Sequence, residues 1–188
     1  MYNCSKPNWR IGDIIEQKTS RNKGGNTFKV LSVSNRYGFI EQTEQFEERT
    51  VASEDTSNYK IVSTDDFAYN PARINVGSIA RLKTYEKGIV SPMYICFHCN
   101  KRVLPEFLEP YFSTKHFHLE MEKRLEGSVR MCLSYEGLCN IPIFIPALDK
   151  QQNIGMKIAI LNEKLRLEES YGEHLLNQKQ YLLSRLFI

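Results

Sequence analysis

Apolar residues recur along residues 147–188 in steps that alternate between four and three. From Ile154 the steps reach Ile158, Leu161, Leu165, Glu168, Gly172, Leu175, Lys179, Leu182 and Leu186, and most of the stops are aliphatic. A period near 3.5 keeps these positions on one slowly winding stripe, which is the seam of a coiled-coil helix. Pro146 marks the start. Asp149 with Gln152 three residues on has the spacing of a capping box, in which a side chain accepts from the unpaired N–H groups of the first turn. At about 1.5 Å per residue the helix would run about 60 Å, further than one small domain reaches, so it asks for a partner helix. An amphipathic helix folded back on its own domain is the plainer reading, and a seam that continues to Leu186 speaks against it. The weak stops Glu168, Gly172 and Lys179 favour antiparallel pairing, in which 154–165 of one helix meets 175–186 of another.

Before this helix the pattern is shorter and closer to period two. Residues 1–26 read as a lead-in anchored by Trp9, Ile11, Ile14 and Ile15. Strands are predicted from Thr27 to Ser34 and from Phe39 to Thr43, joined by the turn Asn35-Arg36-Tyr37-Gly38. Two further runs, Tyr59–Val62 and Phe67–Tyr69, flank the turn 63–66, and Asn70-Pro71 stops the second. Residues 88–97, GIVSPMYICF, read as one apolar strand with Pro92 at an edge or bulge. From Leu104 the period changes to helical over 104–113 and again over 115–127, with Gly127 as the residue just past the helix end. A strand over 128–134 and an extended, proline-punctuated segment over 137–146 then deliver the chain into the long helix. The predicted fold is α/β, a mixed sheet with short helices over 1–146, followed by a long coiled-coil helix over 147–188.

Composition narrows this little. Apolar residues make up 41% and charged residues 25%, as in ordinary globular chains, and the formal charge of +3 permits nucleic acid without demanding it. Any basic surface must be local, and the glutamates of 41–49 make that stretch an unlikely phosphate contact. The N-terminus lacks a charged-then-apolar signal layout and no apolar run has membrane-spanning length, so the expected location is the cytoplasm, with no membrane partner. Five cysteines at irregular spacing argue for reduced thiols.

Candidate chemistry is sparse. Cys96 and Cys99 have C-x-x-C spacing, but Cys132 and Cys139 do not supply the second tight pair of a zinc ribbon, so no metal is expected and the thiols read as strand residues. Residues 66–71, DFAYNP, are similar to the Asn-Pro-Pro-aromatic element of amino-methyltransferases. The second proline and the following aromatic are missing, and no strand runs into a glycine-rich turn that could hold S-adenosylmethionine. No histidine has a defensible catalytic partner, so no catalytic residue is assigned. Arg36, Tyr37, Arg73, Arg81 and Lys83 are the candidates for DNA contact on loop position and residue type, since guanidinium, ammonium and phenol groups suit phosphates and base edges. Ile154, Ile158, Leu161, Leu165, Leu175, Leu182 and Leu186 are the candidate dimer interface.

Several segments in order carry a resemblance: Trp9 with IGDI, DFAYNPARINVGSIA, GIVSPMYICF, LPEFLEPYF, GSVRMCLSYEGLCNIPIFIP and the DKQQNI entry to the long helix. Together they resemble the specificity subunit of type I restriction-modification systems. The resemblance covers nearly the whole chain, as one target recognition domain (1–146) and one conserved spacer helix (147–188). It implies a DNA-reading subunit that performs no chemistry. Methyl transfer from S-adenosylmethionine and ATP-driven cleavage would belong to partner methyltransferase and restriction subunits, with no cofactor on this chain. The family pattern has two domains and two helices where this chain has one of each. The reading favoured is a half-length form that homodimerises through its helix, docks methyltransferase subunits and reads an interrupted palindrome on double-stranded DNA. A coiled-coil adaptor and an inactive, truncated cassette are the alternatives.

Overall fold

The structure, a computed structural model, describes residues 6–24, 28–42, 55–128 and 130–186. The expected strand start at Thr27, the strand end at Thr43, most of the glutamate-rich stretch up to Arg49 and the helix end at 187–188 lie outside the described residues.

Two four-stranded sheets are packed together. One has the order β2 (Ile15–Lys18), β9 (Ile95–Cys99), β6 (Phe67–Tyr69), β7 (Ile79–Arg81) and is antiparallel throughout. The other has the order β4 (Gly38–Glu41), β3 (Val30–Ser34), β8 (Lys87–Val90), β5 (Lys60–Ser63), with β3 and β8 parallel. A two-stranded ribbon of β1 (Trp9–Arg10) and β10 (Pro142–Ile143) pairs Trp9 with Ile143 and ties the start of the chain to the approach of the long helix.

Strand periodicity explains how the first sheet serves two cores. On β6, Phe67 and Tyr69 point into a core shared with the helices, while Ala68 between them points into a second core against Leu31, Val33, Val62 and Val90 of the other sheet. On β9, Phe97 belongs to the first core and Cys96 to the second. Strands covered on both faces read as continuous apolar runs, as Phe67–Tyr69 does. In the first core Phe67 stacks on Phe97 with centroids 5.1 Å apart, and Phe112 meets Phe117 edge-on at 5.1 Å.

Among the described residues three short helices cover that face, and a long one docks on the first of them. α1 (Pro105–Tyr111) starts with proline at its first position, where the missing N–H costs nothing. α2 (Lys115–Glu122) is capped by Thr114, whose hydroxyl accepts from Phe117 N at 3.2 Å. α3 (Tyr135–Cys139) is capped by Ser134, which accepts from Gly137 N at 3.0 Å. α4 runs from Leu148 to Leu186, 39 residues.

Several sequence expectations change. Residues 88–97 form two strands in different sheets: Pro92 offers no N–H to a ladder, and a turn closed by Tyr94 N donating to Ser91 O at 3.1 Å carries the chain across. The second short helix ends at Glu122, not near Gly127. Gly127 has φ +121 in a tight loop, where a Cβ would stand 2.3 Å from the Arg130 carbonyl oxygen. Among the described residues the strand expected over 128–134 reduces to a single bridge, Glu126 to Cys132, and 135–139 is helical because Ser134 supplies a cap. The lead-in holds two strands, with Ile11 and Ile14 fully buried. Asp149 lies inside the first turn of α4, so it does not cap the helix; the Ala147 carbonyl accepts from Lys150 N at 3.0 Å and from Gln151 N at 3.1 Å.

Candidate nucleic-acid interface

The β3–β4 turn is a hydrogen-bonded tip. Ser34 Oγ accepts from the backbone N–H groups of Arg36 and Tyr37, both at 3.3 Å, and Gly38 closes the turn at φ +71, a conformation that favours glycine. The tip projects an aromatic and a cation together: Tyr37 is 69% exposed and the Arg36 guanidinium lies 5.4 Å from its ring centroid. Beside it runs the 3-10 turn Ile74–Val76, which ends at Gly77 with φ +88. A Cβ there would lie 4.0 Å from Asn35 Cβ, so the two turns abut.

A cleft of about 450 Å³ opens beside the tip, walled by Arg36 and Tyr37, by Arg81 and Lys83 at the end of β7, and by Glu109 and His118 from the helices. It brings four of the five DNA-contact candidates together. Two of the four are engaged within the chain. Arg81 is enclosed by carboxylates: Nη1 lies 2.7 Å from Glu106 and 3.5 Å from Asp65, and Nε lies 3.2 Å from Glu109 too far off line to hydrogen-bond. Its side chain is only 10% exposed. Lys83 pairs with Glu109 at 2.8 Å. The guanidinium helps keep the Glu106 carboxyl below its ordinary range: burial opposes this, and a backbone hydrogen bond and Arg81 outweigh it. Arg73, the fifth candidate, lies apart, exposed at the rim of a neighbouring hollow.

The thiols do not form a ligand pair. Cys96 faces the second core and Cys99 packs against the first, on opposite faces of β9, and burial pushes both thiols up to about 12.

The candidate dimer residues lie along α4, and all but one are exposed within the chain. Ile158 is half-buried, while Ile154, Leu161, Leu165, Leu175, Leu182 and Leu186 are exposed, from 39% at Ile154 to 72% at Leu186. The helix docks on the domain through a different side, at Gln151 and Gly155, which are its buried residues. Gln151 Oε1 accepts from Leu104 N at 2.8 Å, and Nε2 donates to the carbonyls of Arg102 and Pro146, both at 2.9 Å. Gly155 lets α1 approach: a Cβ there would stand 3.0 Å from Glu106 Cβ.

No protein-family model matches the sequence, and no curated protein matches it. Solved structures do match in three dimensions. The HsdS subunit from Thermoanaerobacter tengcongensis superposes with a TM-score of 0.66 at 17% identity, over 93% of this chain and 46% of that one. A chain from a study of complex assembly and conformational transition in a type I R-M system superposes with a TM-score of 0.68 at 16% identity, over 95% of this chain and 48% of that one. The fold is that of one half of an HsdS subunit. The chain spans just under half the length of these HsdS-like structures, and the matched part includes both the two-sheet domain and most of α4.

Three features of this HsdS-like half escape a reading of residue types. Gln151 is 1% exposed and makes the hydrogen bonds that seat α4, although its neighbour Gln152 has the more recognisable cap spacing. The pair Gln151 and Gly155, four apart on one helix face, was the available signal. Arg81 has the composition of a surface cation and is nearly enclosed, because α1 folds Glu106 and Glu109 over it. Arg130 is, like Arg73, a basic residue usable for phosphate contact, but the hollow the two share is invisible at their separation in sequence. Among the described residues no helix is long and apolar enough to cross a membrane.

Proposed function

We propose that this protein is a sequence-specific DNA recognition component of a type I restriction-modification complex, acting as a homodimer joined through α4. The observation that carries the reading is the superposition of nearly the whole chain on half of an HsdS subunit, recognition-type domain and long helix together. The uncovered aliphatic stripe of α4 supports the dimer, since apolar surface on that scale on a soluble helix calls for a partner. Two copies packed antiparallel carry one domain to each end and read an interrupted palindrome, with α4 setting the gap between half-sites. The Arg36–Tyr37 tip reads base edges, a role supported by its exposed aromatic and the guanidinium beside it. Methyl transfer and ATP-driven cleavage belong to partner subunits, with S-adenosylmethionine and ATP bound there.

Co-expression with a type I methyltransferase subunit, followed by mapping of adenine methylation across the host genome, tests this. A bipartite palindromic motif is the expected outcome. An asymmetric motif overturns the homodimer, and no methylation returns the chain to a coiled-coil adaptor or a silent cassette.

A further inference from the structure

The basic residues of the domain are not equivalent once their carboxylate partners are counted. In the cleft beside the tip, Arg81 and Lys83 are each ion-paired to glutamates of α1. The groove between α1 and α4 is balanced in the same way, with Arg81, Lys83 and Arg166 against Glu106, Glu109 and Glu163. A hollow of about 570 Å³ that Ser32 and Val33 of β3 and Ser78 help to line differs. Among the described residues, Arg73 and Arg130 both line it, no aspartate or glutamate does, and neither arginine has an ion pair.

Arg73 stands on hydrogen-bonded backbone, and Arg130 lies in a loop whose ends are paired. Arg73 N donates to Asn70 O at 3.0 Å and its carbonyl accepts from Ser78 N at 3.1 Å, while Asn70 Oδ1 takes the Ala72 N–H at 3.1 Å. Arg130 follows the Gly127 loop, which the Glu126–Cys132 bridge closes. The two loops are joined directly: Leu133 N donates to Pro71 O at 3.0 Å, and the Tyr69 hydroxyl donates to Leu133 O at 3.2 Å. Two guanidinium groups without a carboxylate partner among the described residues, on loops joined by hydrogen bonds, suit a tetrahedral oxyanion, because each planar fork offers parallel N–H donors and little backbone freedom is lost on binding.

We propose that Arg73 and Arg130 form a clamp for a backbone phosphate of double-stranded DNA, registering the adjacent Arg36–Tyr37 tip on the bases, while Arg81 and Lys83 hold the domain together and do not contact DNA. The inference rests on the DNA-reading function proposed above and assigns its electrostatic part to two residues.

Binding of the full chain to a fluorescent mixed-sequence duplex of ~30 base pairs, followed by anisotropy from about 50 to about 200 mM salt, tests it. Arg73→Gln and Arg130→Gln are each expected to weaken binding about threefold to tenfold and to flatten the dependence of log Kd on log salt by about one. Arg73→Lys and Arg130→Lys keep the salt dependence, because the charge remains. Lys101→Gln, which removes one cation from a loop on another side of the domain, leaves both quantities unchanged. Both arginines are exposed, and thermal melts matching the wild type confirm that the variants fold. Unchanged salt dependence in both glutamine variants, or an equal effect from Lys101→Gln, overturns the clamp while leaving DNA binding in place. Absence of salt-dependent binding by the wild type, alone and with a methyltransferase subunit, overturns the DNA-reading function itself.

Discussion

Glu106 on α1 occupies the space into which any side chain at Gly155 of α4 would grow: a Cβ would meet Glu106 Cβ at 3.0 Å and its carbonyl carbon at 3.4 Å. The same glutamate reaches the other way to Arg81 at 2.7 Å. One residue therefore joins the root of the long helix to the edge strand of the first sheet.

Gly155→Leu forces the two helices apart and is expected to destabilise the protein by about 2 kcal/mol, the range for overpacking a tight contact. For a chain of this size that lowers the melting temperature by roughly 4–8 °C. Gly155→Ala costs less, since alanine's helix preference of about 1 kcal/mol offsets part of the clash. Calorimetric melts of the three proteins check the order.

Gln151→Ala leaves Leu104 N and the carbonyls of Arg102 and Pro146 without their partner, a loss of about 1–3 kcal/mol for buried groups. Hydrogen exchange at the Leu104 amide is expected to accelerate in this variant, with exchange in the β3–β4 region unchanged. A protected Leu104 amide in the variant would refute the role given to the side chain.

The ion-pair cluster predicts an acid response of definite sign. Glu106 is held below its ordinary value of 4.5 in the fold, so its contribution is fully present above that value and is lost as pH falls through the depressed folded value. Arg81→Met removes a cause of the depression, so the variant is less stable near neutrality and its stability falls less steeply with acid. Urea unfolding at a series of pH values from neutrality downward gives the comparison.

Leu161→Glu combined with Leu175→Glu places charge on the aliphatic stripe while touching nothing in the domain, since both side chains are exposed. Light scattering on a sizing column is expected to give monomers, with the near-ultraviolet spectrum of the domain intact. A dimer of normal size would show that α4 is not the interface.

Local signals made part of this architecture legible. Phe67–Tyr69 is a strand as its apolar run implies, the 35–38 turn stands where its asparagine and glycine place it, and the 3.5-residue period identifies the long helix. The remainder depends on partners far away in sequence. The lead-in strands have their partners in 95–99 and 142–143, so no window around them displays the pairing. The 88–97 run conceals a change of sheet, because an apolar strand covered on both sides has no alternation to lose at Pro92. The candidate site divides in the same way. The exposed tip of Arg36 and Tyr37 follows from turn chemistry, whereas the enclosure of Arg81 depends on glutamates about 25 residues on, and the company of Arg73 with Arg130 depends on a hydrogen bond between Pro71 and Leu133.

The seat of α4 also fixes where its far end points. At about 1.5 Å per residue the helix carries Leu186 about 58 Å from its root, so a tilt of only about 2° at Gln151 and Gly155 sweeps the tip through about 2 Å. That displacement is more than half the rise of one base pair in DNA, about 3.4 Å. A glycine and a glutamine at one end of the molecule thus govern the aim of the other.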